Sequence, residues 1–516
     1  MGGSVVIQKD FVPCAGVENA QTVKQTVIGY SRGYLADCEE NLTKPPIIEP
    51  GRVQPRQHAA SFPLQIDMPP SHTSQLTAFF QQHRVRDVEC VFADISGYPR
   101  GKLMPAAAFA AGAELRIAQA IPMQAVTGDY SYDPIFADAD PDVRLVPDYA
   151  KLKLSPWSSV PRAVAIHDCV ELDGTPCVFA ARSVLKSVLA RYAEQGLTPV
   201  VAPEIEFYLT APNADPNQTL VAPAARGGRA EVGQSAFSLN MLNELAPFWD
   251  AFRGALEALG VRADTWIHEV GPTQYEINLL HGDPLAAADQ AFLFKYAAKE
   301  IAIQHGLNAV FMAKPIAGAS GSSMHLHQSV LDASGRNLFS LEDGNESPSF
   351  RHFIAGLQTY VPDLMLIFAP FVNSYRRFVK GSQAPVNLHW GYDNRTTGLR
   401  IPVSEAAARR VENRIAGADA NPYLAIAASL AAGLAGMDEA LTPTLPLATS
   451  ASAYDEAHAL ARSFLPAHAQ MAHSAASRRL LGDAFVTGYC AVKALEYESY
   501  LSEISAWERR YLLPQV

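Results

Sequence analysis

V-V-A-P-E-I-E-F-Y-L, residues 200–209, is the stretch of sequence around which this chain is organised. Taken as a β-strand, it places Glu204 and Glu206 on one face and Ile205 and Phe207 on the other, since successive strand side chains point to opposite faces. Unpaired carboxylates in an apolar core cost several kcal/mol each. Either a metal ion or arginine side chains must therefore face the two glutamates, unless the strand ends at the surface and both are solvated.

The composition is that of an ordinary globular protein. The chain has 516 residues, of which 48% are hydrophobic and 18% are charged, and this length favours two or more domains. The formal net charge of −11 argues against a nucleic-acid partner, which requires a basic surface. A site for an anion must then be a local arginine cluster, and the acidic exterior favours a cationic small molecule.

Cysteine usage and apolar runs bear on location. The 6 cysteines are scattered without a C-x-x-C pair, which is typical of a reduced compartment. The first ten residues lack a basic region followed by an apolar core, so no secretory signal is predicted. The small-apolar run at residues 425–437 is too short for a membrane span and predicts a buried alanine-rich helix. We therefore expect a cytoplasmic protein without a membrane partner.

Changes in pattern divide the chain into three parts. Residues 1–72 are polar and proline-rich without a sustained period, which predicts a loosely ordered extension. Residues 73–173 begin with a short helix and then predict a hairpin, in which the strand V-E-C-V-F-A-D is followed by a turn and by a second strand that resumes after R-G-K-L. Residues 174–516 alternate helices and strands, which predicts a large α+β domain.

Two helices of this large domain have clear boundaries. Residues 184–192 carry apolar side chains at helical spacing, and Gly196 lies where a C-cap is expected. A second helix runs from Asp283 as N-cap, with Pro284 in its first turn, to Gly306 past its end. The strand N-A-V-F-M-A-K-P follows directly.

Three further segments resemble the opening strand in chemistry. In H-E-V-G-P-T-Q-Y-E, Glu269 and Glu276 flank a turn that can bring two strand-borne carboxylates together. In M-H-L-H-Q-S, His325 and His327 share one strand face. The segment R-R-V-E-N-R contains Glu412 and follows N-R-T-T-G-L-R-I-P, so the arginines near that glutamate in sequence are Arg395, Arg400, Arg409, Arg410 and Arg414.

These residue types together indicate phosphoryl chemistry. A ligand set dominated by carboxylates favours Mg²⁺ or Mn²⁺ over zinc or copper, and Mn²⁺ tolerates one imidazole. Arginines offer forked donors to phosphate and carboxylate oxygens. Metal ions with arginines are the usual means of neutralising a transferred phosphoryl group. The glycine-serine loop before His325 lacks G-K-[ST], so a P-loop is excluded.

From about Ser74 to the C-terminus the motifs resemble the glutamine synthetase family. They occur in the family's order and are R-G-K (100–102), P-E-I-E-F (203–207), H-E-V-G-P-T-Q-Y-E (268–276), F-M-A-K-P (311–315), M-H-L-H-Q-S (324–329), N-S-Y-R-R (373–377), N-R-T-T-G-L-R-I-P (394–402) and A-N-P-Y-L (420–424). The resemblance implies an N-terminal β-grasp domain and a catalytic domain with a funnel of antiparallel strands. It also implies a homo-oligomer, a hexameric ring or a double ring of twelve, with active sites shared between neighbouring subunits.

The resemblance further implies roles for individual residues. Two or more metal ions, Mg²⁺ or Mn²⁺, are expected, one held by Glu206, Glu269 and Glu276, and one beside the nucleotide held by Glu204, His325 and Glu412. His327 and Ser329 are expected along ATP, with Arg395 and Arg400 near its phosphates. The expected catalytic residues are Arg377, Arg395 and Arg414. The expected substrate contacts are Ser320, Gly321, Arg377, Gln383 and Arg414.

Departures from the family pattern fall on the acceptor side of this site. Gln383 stands where glutamine synthetases carry a flap glutamate that helps bind and deprotonate ammonium, and a neutral amide cannot act as that base. Asp129 is the nearest counterpart of the ammonium-binding aspartate of the neighbouring subunit. Ser320 and Ser323 replace the usual asparagine and glycine of the substrate loop.

This asymmetry resembles the branch of γ-glutamylpolyamine synthetases and other glutamate–amine ligases. It implies an ATP-dependent ligase that joins the γ-carboxylate of glutamate to a primary amine, a polyamine or a monoamine, through a γ-glutamyl phosphate. An ammonia-using glutamine synthetase is one alternative. A catalytically inactive structural relative is the other, although retention of all six predicted metal ligands argues against it, because clustered carboxylates are costly to keep.

Overall fold

The computed structural model describes residues 70–131, 139–379, 381–382, 384–451 and 458–516. Apart from its last three residues, the predicted N-terminal extension lies outside the described residues, and so does Gln383. The described chain contains two sheets, one built from residues 87–170 and one from residues 198–413. The division into domains after residues 72 and 173 stays a prediction.

The first sheet is mixed. Its strands are β1 (Asp87–Ala93), β2 (Pro99–Pro105), β3 (Leu115–Ala118), β4 (Asp142–Pro147), β5 (Lys153–Leu154) and β6 (Arg162–Val170). β1 pairs antiparallel with β2 and parallel with β6, and β6 pairs antiparallel with β4 and β5. β3 closes the other edge beside β4.

The predicted hairpin is confirmed as β1 and β2, but its second strand begins earlier than expected. The ladder already pairs Phe92 with Arg100 and Val91 with Gly101, so R-G-K-L lies inside β2. Gly101 explains why the sequence pattern hides this. Its φ is +154°, and a Cβ there would lie 1.8 Å from the carbonyl oxygen of Cys90, so the strand needs glycine at a position where an alternating pattern leads one to expect a side chain.

The second sheet carries the glutamate-rich strand at its centre. Its strands are β7 (Thr198–Thr210), β8 (Ala263–His268), β9 (Gln274–Leu279), β10 (Asn308–Val310), β11 (Met324–Leu331), β12 (Trp390–Tyr392), β13 (Leu399–Ile401) and β14 (Val411–Asn413). Their order is β12-β13-β14-β11-β7-β9-β8, with β10 beside β7. All pairs are antiparallel except β12 with β13. The predicted α+β fold with an antiparallel catalytic sheet is confirmed.

Helices cover this sheet and link the two sheets. They are α1 (Pro70–Gln82), α2 (Ala106–Ala110), α3 (Ala181–Glu194), α4 (Leu239–Glu244), α5 (Ala246–Leu259), α6 (Pro284–Gln304), α7 (Pro348–Tyr360), α8 (Met365–Phe368), α9 (Pro422–Asp438), α10 (Phe464–His473), α11 (Ala475–Leu481), α12 (Asp483–Leu501) and α13 (Ala506–Tyr511). A 3₁₀ helix, Val372–Arg377, carries N-S-Y-R-R.

The two helices with predicted boundaries are confirmed as α3 and α6. The Asp283 carboxylate accepts a hydrogen bond from the Ala286 N–H at 2.8 Å, and Gly306 follows the helix end with φ +66°. The strand after α6 is shorter than predicted. Pairing with β7 ends at Val310, because the chain leaves the sheet at Phe311, whose ring stacks on Phe207 with centroids 5.2 Å apart.

One face of β7 packs into the core, and this packing places the acids on the other face. Ile205 and Phe207 are fully buried. The Phe207 ring contacts Trp249 and Phe252 of α5 and Phe294 of α6. The alanine-rich run forms α9, which is buried along most of its length as predicted. Among the described residues, none of the helices combines the length and apolar character needed to cross a membrane.

Candidate active site

Strand register collects the predicted acidic residues on one face of the second sheet. β7 and β11 pair so that Glu204 lies opposite His325, and β7 and β9 pair so that Glu206 lies opposite Glu276. Residues directly opposite each other in antiparallel strands share a face. Glu269 follows the end of β8 at the turn of the β8–β9 hairpin, whose existence the sequence predicted.

β14 adds the third side of the cluster, because His327 of β11 lies opposite Glu412. Glu204 connects the two histidines: its Oε1 lies 2.9 Å from His325 Nδ1, and its Oε2 lies 3.3 Å from His327 Nε2. Two sets of three side chains therefore have possible ligand atoms within 4.8 Å of one another. They are Glu204, Glu276 and His325, and Glu204, His327 and Glu412.

These sets divide the residues differently from the sequence prediction. Glu276 sits with Glu204 and His325, which were predicted for the other metal ion, and His327 joins Glu204 and Glu412 although it was predicted along ATP. All six predicted ligands lie in or beside one cluster. Which side chain holds which ion stays a prediction.

Ser323 is a contact that the sequence treated only as a departure from the family pattern. Its hydroxyl donates to Glu206 Oε1 at 2.6 Å and its backbone N–H donates to Oε2 at 3.0 Å. The same hydroxyl lies 2.8 Å from His325 Nε2. Gln274, which belongs to H-E-V-G-P-T-Q-Y-E, donates to Glu206 at 3.3 Å and to the Gly321 carbonyl at 2.9 Å. Both residues fix the orientation of the Glu206 carboxylate through hydrogen bonds.

Burial and mutual repulsion raise the pKa of several carboxyl groups in the cluster. Burial, with the nearby Glu269 charge, raises the pKa of Glu206 to about 7. Burial, with Glu204 and Glu206, raises the pKa of Glu276 to about 11. Burial likewise raises the pKa of Glu269. These three acids lack enough positive charge around them, and divalent cations bound to their oxygens would supply it.

The charge of Glu412, in contrast, is compensated by neighbouring arginine and histidine side chains. Although burial opposes ionisation, the Arg414 guanidinium and the two histidines lower the pKa of Glu412 to about 2. Arg414 donates to Glu412 Oε1, and Arg400 donates to Oε2 at 2.6 Å. For the opening strand, the sequence left a metal ion or arginines as alternatives; Glu204 faces His325 and His327 instead. Arginines face Glu412, whereas the donor set around Glu206 and Glu276 fits a hard divalent cation.

A cavity of about 520 Å³ adjoins Glu204. His327 and Ser329, both predicted along ATP, line it, and Arg410 does so while donating to His327 Nδ1 at 3.3 Å. Arg400 points to Glu412 and Asp393 instead of lining this cavity. Arg395 is exposed on the segment between β12 and β13, and its predicted contact with the phosphates of ATP stays a prediction.

The substrate loop lies against Arg377. Arg377 is 3% exposed and donates through Nη2 to the Ile415 carbonyl. A Cβ on Gly321 would lie 2.5 Å from Arg377 Cγ, so the loop packs directly on this side chain. The Ser320 carbonyl accepts a hydrogen bond from the Tyr208 hydroxyl at 2.8 Å. Gln383, the remaining predicted substrate contact, lies outside the described residues.

Clustered carboxylates, imidazoles and arginines beside a cavity are the residue types that metal-assisted phosphoryl transfer uses. Comparison with known proteins gives the family. The sequence profile described as "Glutamine synthetase, catalytic domain" matches residues 179–512. The chain belongs to the glutamine synthetase family.

Relatives of known name include two kinds of ligase. The glutamate–isopropylamine ligase of Pseudomonas sp is 34% identical and covers 84% of this chain and 96% of its own. The gamma-glutamylethanolamide synthetase of Streptomyces coelicolor is 32% identical and covers 87% of this chain and 97% of its own. The glutamine synthetase of Pyrococcus abyssi is 34% identical and covers 81% of this chain and 92% of its own. Sequence identity alone therefore does not separate amine from ammonia as the acceptor.

The fold matches as well as the sequence. The solved structure of a GmaS/ADP complex superposes with a TM-score of 0.74 and 29% sequence identity, covering 85% of this chain and 99% of that one. The aligned share exceeds the part of the chain that the catalytic-domain profile matches.

Proposed function

We propose that this protein is an ATP-dependent glutamate–amine ligase. The observation that carries the proposal is the convergence of Glu204, Glu206, Glu276, His325 and Glu412 on one face of the second sheet, next to a cavity lined by His327 and Ser329. An inactive relative has no need to maintain repelling carboxylates in that arrangement. Relatives named as ligases of isopropylamine and ethanolamine support the acceptor class.

The chemistry follows from the charges. A carboxylate oxygen of glutamate attacks the γ-phosphorus of ATP, the bond to ADP breaks, and an acyl phosphate forms. The neutral amine then attacks the acyl carbon, phosphate leaves, and the amine loses a proton. Mg²⁺ or Mn²⁺, held by the predicted ligands, would supply positive charge to the phosphate oxygens.

The chain's own groups orient the reactants. Arg377, packed on the substrate loop, offers a guanidinium to the glutamate carboxylate, and Arg414 offers one to the transferred phosphoryl group. Ser323 and Gln274 fix the orientation of Glu206. Arg400 limits the movement of Glu412.

We assign the choice between ammonia and an amine as acceptor to Gln383 on the flap. Gln383, which replaces the flap glutamate in the family pattern, cannot hold ammonium by charge or deprotonate it. A primary amine brings its own carbon substituent as an additional binding group, so it depends less on that charge. We infer that ammonia is the poorer acceptor.

We also infer an assembly and a location. A hexameric ring or a double ring of twelve would bring Asp129 of one subunit toward the site of the next; Asp129 is exposed here, and its carbonyl accepts a hydrogen bond from the Ala125 N–H that closes a turn. The cysteines described are unpaired and buried, which supports a reducing, cytoplasmic setting.

The experiment is ADP release with ATP, Mg²⁺ or Mn²⁺ and glutamate, comparing ammonium with isopropylamine, ethanolamine, putrescine and spermidine. Turnover with an amine that exceeds turnover with ammonium supports the proposal. Turnover with ammonium alone makes the protein a glutamine synthetase, and no turnover with any acceptor makes it an inactive relative. Glu276→Gln should abolish turnover, while Glu257→Gln, an exposed position on α5, should leave it unchanged.

A further inference from the structure

The loop between β7 and α4, residues 211–238, reaches the turn of the β8–β9 hairpin. Glu231 lies on this loop, and its side chain is 6% exposed. Its Oε2 accepts a hydrogen bond from the Thr273 N–H at 2.7 Å and lies 3.0 Å from His268 Nε2. The His268 carbonyl accepts a further bond from the Phe237 N–H at 2.7 Å. The loop is therefore fixed both to the end of β8 and to the turn.

Thr273 holds a backbone conformation that its own side chain disfavours. Its φ is +54°, in the left-handed region, where a β-branched residue is an outlier that surrounding contacts must hold in place. On one side, the Thr273 carbonyl accepts a hydrogen bond from the Leu209 N–H at 2.9 Å, and the hydroxyl donates to the Leu209 carbonyl at 2.6 Å. On the other side, the Thr273 N–H is held by Glu231.

The residue after Thr273 carries this geometry to the metal cluster. Gln274 is 1% exposed, and its backbone carbonyl accepts a hydrogen bond from the Glu269 N–H at 2.8 Å. Its side-chain oxygen accepts one from the Gly271 N–H at 2.9 Å, and its Nε2 donates to Glu206 at 3.3 Å. One glutamine thus joins Glu269 to Glu206. Its direction depends on the backbone of the threonine that precedes it.

The contact between loop and turn leaves two buried atoms without a hydrogen-bond partner among the described residues. They are Glu231 Oε1 and His268 Nδ1. His268 is fully buried, and a buried polar atom that is left unpaired costs free energy. The pair is therefore a poor device for stability alone, and a cost of this kind is typical of groups that fix a functional site.

We propose that Glu231 is a positioning residue for the metal cluster. It holds Thr273 in the left-handed conformation, and this conformation directs Gln274 onto Glu206. The same turn sets the place of Glu269. Glu231 acts through the turn and is not itself among the predicted ligands. This inference rests on the proposed function, because it takes Glu206 and Glu269 to be metal ligands.

Mn²⁺ affinity, measured on the full chain by electron paramagnetic resonance titration, tests this role without any turnover. We expect Glu231→Ala to weaken Mn²⁺ binding roughly 10-fold, the lower end for loss of a group that orients a metal ligand. Glu231→Gln keeps an oxygen that accepts the Thr273 N–H, so its affinity should stay close to that of wild type. Equal affinity in wild type and Glu231→Ala would overturn the proposal.

Thr273→Gly separates positioning from packing. Glycine adopts a positive φ without the steric cost that threonine meets, so the turn should no longer depend on Glu231. We expect Thr273→Gly to restore most of the Mn²⁺ affinity that Glu231→Ala loses. A cavity left by the truncated glutamate would not be repaired by removal of a second side chain. Losses that add in the double variant contradict the proposal.

Glu244→Ala is the matched control. Glu244 of α4 is a second carboxylate that holds the same loop, and it does so at the Gly227 N–H, at 3.2 Å, instead of at the hairpin turn. Its replacement should leave Mn²⁺ affinity unchanged. A loss equal to that of Glu231→Ala would mean that the loop as a whole fixes the turn, and Glu231 would have no special role.

A crystal structure of metal-free Glu231→Ala keeps the two proposals separable. If wild type binds no Mn²⁺ or turns over no acceptor, the proposed function fails, whereas the positioning role is still decided by the coordinates. We expect Thr273 to leave the left-handed region in the variant and the Gln274 amide to move away from Glu206. An unchanged turn contradicts the positioning role, whatever the activity.

Discussion

Ser323 holds both oxygens of Glu206, one through its hydroxyl at 2.6 Å and the other through its backbone N–H at 3.0 Å. Only the hydroxyl can be removed by mutation. Since a hydrogen bond to a carboxylate favours its charged form, Ser323→Ala should raise the pKa of Glu206 further and loosen its orientation.

We expect Ser323→Ala to weaken Mn²⁺ binding roughly 10-fold, the lower end for loss of a group that orients a metal ligand. Electron paramagnetic resonance titration of free Mn²⁺ measures this directly. Ser322→Ala, at the neighbouring position, is the control, because Ser322 contacts Gln274 and not Glu206. Unchanged affinity in Ser323→Ala would show that the Ser323 backbone N–H and Gln274 suffice to orient Glu206.

Metal binding should oppose the loss of stability that the metal-free protein shows as the pH rises. The pKa of Glu206 is raised to about 7 by burial and by Glu269, whereas the unfolded chain has an ordinary carboxyl pKa near ~4.3. The metal-free fold binds this proton more tightly than the unfolded chain, so its stability falls as pH rises from about 4.3 to about 7. The loss is on the order of a few kcal/mol.

Thermal unfolding at pH 5 and pH 8, with a chelator and with Mn²⁺, tests this. We expect Mn²⁺ to raise the melting temperature more at pH 8 than at pH 5, because at low pH the ion competes with protons for the carboxylates. Glu206→Gln should reduce the pH dependence of the metal-free protein and leave the part that comes from Glu276 and Glu269, whose pKa values burial also raises. An equal Mn²⁺ effect at both pH values would mean that Glu206 is ionised throughout.

Local pattern predicted which elements form and which face each side chain takes. The two-residue period of residues 200–209 predicted that the acids of β7 share one face, and Asp283 and Gly306 predicted the two ends of α6. These features depend on residues close in sequence. Strand starts were less predictable: β2 begins at Pro99, and its third residue, Gly101, approaches the Cys90 carbonyl so closely that only glycine fits, a contact that only the paired strand reveals.

The grouping of side chains within the site was not predictable from pattern. A period gives the face of Glu204 but not its distances to His325 and His327, which depend on how β11 and β7 align. Ser323 reaches Glu206 because the chain bridges to Gly417 just before β11 begins. Arg395 shows that a motif match predicts a role without giving its geometry: the residue is exposed, and its contact with the phosphates of ATP stays a prediction.

Arg182 of α3 connects the first sheet to α6 through three acids. It donates to Asp168 of β6 at 2.6 Å, to Asp148 at 2.8 Å and to Asp289 of α6 at 3.0 Å. Asp289 is 2% exposed, so Arg182→Met leaves a buried charge without its main partner. We expect about 3 kcal/mol of destabilisation, measured by urea unfolding.

Arg336→Met is the control for the loss of stability expected in Arg182→Met. Arg336 pairs with Asp332 and Glu342, yet its side chain is 67% exposed. Exposed pairs contribute about 1 kcal/mol or less. If both variants lost the same stability, the Arg182 cluster would be no stronger than a surface pair and would not fasten β6 to α6.

Gln383→Glu tests why ammonia should be the poorer acceptor. Restoring a carboxylate at this flap position provides a counter-charge for ammonium and a base for its proton, whereas an alkylamine also binds through its carbon substituent. We expect kcat/KM for ammonium to rise roughly 10-fold or more, since a positioned base contributes at least that much, and kcat/KM for the preferred amine to change far less. Gln383→Asn keeps a neutral amide and should raise neither value. A rise for both acceptors in Gln383→Glu would mean that this position supplies a general base without discriminating between them, and selectivity would then reside in the amine's carbon-binding surface.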